Sequence, residues 1–386
     1  MGLNGTRGIL YAGILATVFA CSAASAQPAK HLAPIPASTV ALMTAKGTSP
    51  SAPLLMRVFK KESELEVWKL GRDGRYVHLK TFPICRWSGQ LGPKMRVGDR
   101  QAPEGFYSVT PRQMNPNSSY YLSFDTGFPN AYDRARGATG SALMVHGTCS
   151  SMGCYAMTDT QVSEIFALAR EAFAGGQAAF QFQAYPFRMT AQNIARHRTE
   201  PHIGFWRMLK EGYDRFEATR EEPAVSVAGG KYVFGPSRSP EREALAQARL
   251  AEESRKAEAL IADGVAAIRT TYSDGGTHPT YAALARAGSA SLGMVSRPEA
   301  LALAGREVTV IPARAVPPLP PVLVAGLRPP VQDAVPVRPA DMSIFVFASL
   351  GYGVGEPPKP AMSLISGSAR IIGQGFSGAA FQLASR

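Results

Sequence analysis

Three strand-like runs at 54–59, 64–70 and 76–82 follow one another with only short polar breaks between them. They are rich in Leu, Val, Phe, Trp and Tyr, the residues that suit a pleated, half-buried surface. The break Gly71-Arg72-Asp73-Gly74-Arg75 has the chemistry of a reversing turn. Such a series predicts a meander of short strands, and it commits the chain to a sheet-based core. Further strands are expected at 105–110, 120–124, 142–145 and 178–185. Val162, Ile165, Phe166 and Ala169 recur at helical spacing and predict a helix over 161–173, capped by Thr158 and Asp159. Phe205, Trp206, Leu209, Tyr213 and Phe216 predict a second helix over 203–216, its aromatics serving as core. The expected class is mixed α/β, mostly β, with one substantial core between 54 and 217.

The flanks read differently. Arg7, the apolar run 9–20 and Ala24-Ser25-Ala26 have the form of a cleaved signal peptide at 1–26. Residues 27–51 are rich in Ala, Pro, Ser and Thr and read as a linker. A charged, Ala-rich helix is expected to start at Ser239-Pro240 and run to about Arg269, so 219–269 reads as linker plus helix. The stretch 270–386 is rich in Pro and Ala, and is expected to be a largely disordered extension. No later run is long and apolar enough for a transmembrane helix, so the mature chain is expected in the periplasm or cell envelope without a span. The formal charge of +12 suits an acidic envelope polymer, nucleic acid being out of reach after export, and equally suits solubility alone. Three cysteines follow the leader: Cys85, Cys149 and Cys154. An odd number leaves at least one thiol unpaired.

The chemistry concentrates in His146-Gly147-Thr148-Cys149-Ser150-Ser151-Met152-Gly153-Cys154-Tyr155-Ala156-Met157. A thiol becomes a strong nucleophile as thiolate, and a nearby imidazole can remove its proton. Cys154 is the expected nucleophile and His146 the expected base, oriented by a carboxylate or by a backbone carbonyl. Gly153 opens the approach to the thiol, and its turn could aim the Gly153 and Cys154 amides at a developing oxyanion. No metal or cofactor is called for. For Cys85 and Cys149, a mutual disulfide and two buried thiols are equal readings.

His146-Gly147 followed by Ser151-Met152-Gly153-Cys154 resembles the L,D-transpeptidase (YkuD-type) catalytic domain of cell-wall enzymes. Pro103-Glu104-Gly105-Phe106-Tyr107 resembles a pattern common in the same family, and Gly89-Gln90-Leu91-Gly92-Pro93-Lys94, the full string 146–157 and 209–217 resemble its YafK-like branch. The resemblance covers roughly 52–218. It implies an L,D-transpeptidase-like β-sandwich or barrel with flanking helices, acting on peptidoglycan stem peptides through a cysteine thioester. An envelope protein is a further candidate as acyl acceptor or linked substrate. It also implies a loop-shaping role for Ser151. Met152 stands where the common pattern has histidine, and Ala156 where many members carry an arginine that meets substrate carboxylate. Arg86 and Lys94 are the candidates to bind substrate carboxylate in its place, and Gly147 is a further candidate substrate-binding residue. A hydrolase with the same thioester chemistry, and a non-enzymatic wall-binding protein, are the alternative readings.

Overall fold

The computed structural model describes residues 1–2, 29–288 and 298–312. All but the first two residues of the expected leader, and the stretch 313–386, lie outside the described residues.

The meander forms as the sequence predicts. β1 (Leu54–Phe59) pairs antiparallel with β2 (Glu64–Leu70), setting Leu55 opposite Trp68. β2 pairs antiparallel with β3 (Tyr76–Pro83), with a register shift at Val67/Trp68. β10 (Phe180–Tyr185) runs parallel to β1, and β5 (Gly105–Val109) closes the other edge antiparallel to β10. The order is β3-β2-β1-β10-β5.

A second five-stranded sheet has the order β4-β9-β8-β7-β6. Its strands are two or three residues each: β4 (Arg86–Trp87), β6 (Met114–Asn115), β7 (Ser123–Asp125), β8 (Met144–His146) and β9 (Tyr155–Ala156). The two sheets meet through aromatic rings. Phe124 of β7 stands edge-on to Phe180 and Phe182, with centroids 5.6 and 6.2 Å away, and Tyr155 of β9 lies 6.0 Å from Phe182. Such contacts fill the space between packed sheets.

Helices flank this sandwich. α5 (Ile203–Thr219) covers the far face of the first sheet, with Tyr213 edge-on to Tyr185 at 5.5 Å and Phe216 edge-on to Trp68 at 5.0 Å. α3 (Asp159–Ala174) starts at a capping box, in which Thr158 Oγ1 accepts the Gln161 amide and the Gln161 side chain accepts the Thr158 amide. It buries Val162, Ile165, Phe166 and Ala169. Shorter helices are α2 (Ala131–Ala135) and α4 (Ala191–Arg196).

The flanks are more ordered than their composition suggests. The expected linker at 27–51 contains α1 (Ala37–Ala45), which buries Met43 and whose Thr39 Oγ1 donates to Glu164 at 2.6 Å. The expected linker after 218 is a hairpin of β11 (Val225–Ala228) and β12 (Lys231–Phe234). Tyr232 and Phe234 pack their rings on Phe106 at 5.4 and 5.3 Å. α6 (Pro240–Ala262) stops short of Arg269 and is tied to α5 by Arg215–Glu243 at 3.0 Å and Lys210–Glu253 at 3.2 Å. Within 270–312, expected to be disordered, lie most of a hairpin of β13 (Ala267–Tyr272) with β14 (Arg306–Ile311), and α7 (Pro279–Ala287). Val225, Tyr232, Phe234, Ala257 and Tyr272 belong to the main hydrophobic cluster, so the core continues well past 218. No helix among the described residues is long and apolar enough to cross a membrane.

Candidate active site

β8 and β9 run side by side and parallel, with Val145 opposite Tyr155 and His146 opposite Ala156. One step back in the same register, Met144 lies beside Cys154, and the Met144 amide donates to Cys154 Sγ at 3.4 Å. Side chains alternate across a strand. Val145 and Tyr155 therefore enter the core, while Met144, His146, Cys154 and Ala156 share the opposite face. His146 and Cys154, eight positions apart in sequence, become diagonal neighbours on adjacent strands.

Loops and rings cover this face. His146 is 1% exposed and Cys154 9%. Tyr120 lies over the imidazole, with ring centroids 4.6 Å apart. The His146 Nδ1 lies 2.6 Å from the Gly147 carbonyl. A carbonyl can only accept, so the proton belongs on Nδ1 and Nε2 keeps a lone pair. Burial pushes the imidazole down to about 4, with the Gly147 hydrogen bond opposing it. Burial pushes the Cys154 thiol up to about 11; the Met144 amide and Lys94 pull it down, and Asp125 adds to the rise. Both partners are thus neutral near pH 7. The thiol itself points at the Ala142 carbonyl, 3.8 Å away.

The loop from 147 to 153 is held on every side. Gly147 donates to the Tyr120 and Leu122 carbonyls. A Cβ there would come within 2.5 Å of Asp159 Oδ1, so the position demands glycine for close packing. Asp159 Oδ1 accepts the Thr148 amide at 2.7 Å. Gly153 has φ +126°, a conformation open to glycine. The Gly153 and Cys154 amides both donate to Ser151 Oγ, at 3.3 and 3.0 Å, and Ser151 Oγ contacts the Cys154 carbonyl at 2.7 Å. The two amides converge on the Ser151 hydroxyl, and here they shape the turn that presents the thiol. Ser88 Oγ lies 3.0 Å from Ser151 Oγ and donates to the Arg100 carbonyl at 2.8 Å.

Cys85 and Cys149 form a disulfide with Cα atoms 5.3 Å apart, tying the chain just before β4 to the site loop. Cys154 is the free cysteine of the described residues.

Arg86 is opposite Ala156 across β4 and β9. It thus stands beside the position where the resemblance places a carboxylate-binding arginine. Its guanidinium is taken, however. Nε donates to the Ala300 carbonyl at 3.0 Å, Nη1 to the Trp87 and Gly276 carbonyls, and Nη2 to the Asp274 carbonyl and, at 3.1 Å, its carboxylate. Arg86 clamps the segment after β13 against the site sheet, where Trp87 and Gly276 exchange backbone hydrogen bonds at 3.0 and 3.1 Å. Lys94 is 4% exposed and pairs with Asp99 at 2.5 Å. Neither cation is free to receive a substrate carboxylate in this arrangement, because burial and internal partners hold both.

Sequence reasoning overlooked Ser88, Tyr120, Ser123 and Asp125. The last two had a signal: in Leu122-Ser123-Phe124-Asp125 the polar residues alternate with core residues, which places them on the site face. Among the described residues there is no cluster of three or more His, Cys, Asp or Glu that could hold a metal.

No family model matches the chain. It is 48% identical over 191 residues to YafK of Escherichia coli (strain K12), whose name marks the L,D-transpeptidase assignment as provisional. The match covers 49% of this chain and 77% of that protein, and the counterpart in Escherichia coli O157:H7 matches equally. The crystal structure of the helical cell shape determining protein Pgp2 from Campylobacter jejuni is 18% identical, with a TM-score of 0.29 over 60% of this chain and 80% of that one. A point mutant of the same Pgp2 is 16% identical, with a TM-score of 0.28 over 64% and 82%. Likenesses that low carry no argument. The identity to YafK does: the chain belongs to the YafK-like branch of the L,D-transpeptidase family.

Proposed function

We propose that the protein is a cysteine acyltransferase of the cell envelope, an L,D-transpeptidase acting on peptidoglycan stem peptides. The observation that carries this is the strand register, which sets Cys154 diagonally across from His146 on one face, with Nδ1 tied to the Gly147 carbonyl and Nε2 free to act as the base. The substrate class rests on kinship with YafK. Export is part of the same reading, and the Cys85–Cys149 disulfide suits an oxidising compartment.

In this mechanism the thiol and imidazole start neutral. As Sγ attacks the stem-peptide carbonyl, its proton passes to His146 Nε2. The Sγ–C bond forms, the C–N bond to the leaving amino acid breaks, and the imidazolium returns the proton to the departing nitrogen. The Met144 amide donates to sulfur and favours negative charge there while the proton is in transit. Gly153 and Ser151 hold the turn that presents Sγ.

The test is incubation of purified protein with a defined tetrapeptide stem, followed by mass spectrometry of protein and products. Wild type should carry the acyl group on Cys154, and Cys154→Ala should lose turnover by a factor on the order of 10⁴ or more. Full turnover in Cys154→Ala would reject the assignment. Trimmed stems without transferred ones, even with an amine acceptor present, would point to the hydrolase.

A further inference from the structure

Asp125 lies on the site face, and the acylation step has no use for it. The β7–β8 pairing sets Ser123 opposite His146 and Asp125 opposite Met144, the residue whose amide touches Cys154 Sγ. Alternation along β7 sends Phe124 into the core and leaves Ser123 and Asp125 beside the His–Cys pair. Asp125 is half-buried. Its Oδ1 accepts the Gly127 amide at 2.7 Å, a local turn contact; its other oxygen has no hydrogen-bond partner among the described residues. The Ser123 hydroxyl, fully buried one row away, has none either.

A carboxylate here opposes the thiolate, since its charge adds to burial in pushing the Cys154 thiol up. It therefore does not activate the nucleophile, and its charge suits a cation. Across the register stand His146 and Cys154, both neutral, and the other charge felt at Cys154, Lys94, is paired with Asp99. None of these neutralises Asp125 by direct contact.

The second half of a transfer reaction needs such a group. An acceptor ammonium has three protons on nitrogen, and the amide product keeps one. As the N–C bond forms and the C–Sγ bond breaks, His146 can carry one proton from nitrogen to sulfur. A second proton needs another acceptor. We propose that Asp125 is the subsite for the ammonium group of the acyl acceptor, and that its carboxylate takes the proton the amine must lose before attack and passes it to water. Burial raises the Asp125 carboxyl above the usual range, which narrows the gap to an ammonium donor. The inference rests on the thioester reading above, and it singles out an amine as the acceptor favoured over water.

The test uses wild type, Asp125→Asn and Asp125→Glu with a defined tetrapeptide stem as donor and glycinamide as the amine probe. Mass spectrometry reads the ratio of amide product to hydrolysed acid. Both products come from one thioester, so the ratio cancels differences in acylation. Asparagine keeps an oxygen for the Gly127 amide, and thermal melting confirms that the variant folds. The ratio should fall at least about tenfold at pH 7 in Asp125→Asn, be partly restored by glutamate, and return to within about threefold of wild type above the pKa of the amine, where the acceptor arrives neutral. A folded Asp125→Asn protein with the wild-type ratio at pH 7 overturns the inference, as does a ratio lowered equally at both pH values. Wild type that forms the thioester yet yields only acid under saturating glycinamide overturns it too, leaving the thiol chemistry intact. Absence of any Cys154 thioester overturns the proposed function and this inference together.

Discussion

The two sheets are built by different means. In the first, strands of five to eight residues pair along their length, and its neighbouring rings pack against each other, as Phe59 does on Tyr185 at 5.6 Å. In the second, strands of two or three residues pair too briefly to fix one another. Its position comes from single connections: the Cys85–Cys149 disulfide, the Met157 amide on the His146 carbonyl at 2.7 Å, and the Thr148 amide on Asp159. Thr148 and Cys149 hold φ of +66° and +40° within this loop, conformations that cost of order 1–3 kcal/mol each for residues with a Cβ. Long pairing gives the fold its stability, and crosslinks around short pairing give the site its geometry.

That division predicts separable damage. Phe59→Ala should cost about 3–5 kcal/mol, the usual range for a buried Phe lost from a core. The Cys154 alkylation rate, measured under conditions where the variant remains folded, should stay near wild type. A large change in that rate would show the two sheets to be one mechanical unit. Replacing both Cys85 and Cys149 with Ser should cost about 3–4 kcal/mol, as the bond closes a loop with sequence separation 64. Here alkylation of Cys154 should change several-fold at temperatures where the protein is fully folded, because the loop leading to the nucleophile has lost its anchor. An unchanged rate would transfer the positioning role to the Asp159 and Met157 contacts.

The same division decides what the sequence shows. The first sheet was legible because each strand is an unbroken run whose apolar content marks it. The His146 and Cys154 pair was legible because both residues are rare types flanked by glycine. β4 and β9 are too short to leave a pattern, so the placement of Arg86 opposite Ala156 exists only in the register. The segment around Asp274 escaped because it was read together with the Pro- and Ala-rich sequence that follows it. It docks through isolated residues: Tyr272 on Trp87 at 4.8 Å, Asp274 on Arg86 and Arg100, and Tyr281 on Gln161. Composition averages such residues away, while non-local pairing uses each one. Asp125 was half-legible, since alternation gave its face but not the strand that would lie beside it.

The smallest effect concerns acid. Burial holds the His146 imidazole down to about 4, against 6.5 for an ordinary histidine. Between those values the unfolded chain binds a proton that the folded protein refuses, so stability rises with pH there. The contribution is complete above pH 6.5 and is lost as pH falls through 4, amounting to about 3 kcal/mol. Buried carboxyls titrate over the same range with the opposite sign, since burial pushes Asp133 up to about 7 and Asp214 up to about 6. Wild type alone therefore cannot isolate the histidine. The comparison that does is the pH dependence of unfolding free energy in wild type against His146→Gln, which removes the titration and keeps a polar side chain. The difference between the two proteins should change by about 2–3 kcal/mol between pH 7 and pH 4, with wild type losing more. Parallel curves would mean that the imidazole titrates in the folded protein as it does in the unfolded chain, and a difference of the opposite sign, with wild type losing more as pH rises, would replace the neutral resting pair drawn for Cys154 and His146 with a preformed thiolate–imidazolium pair.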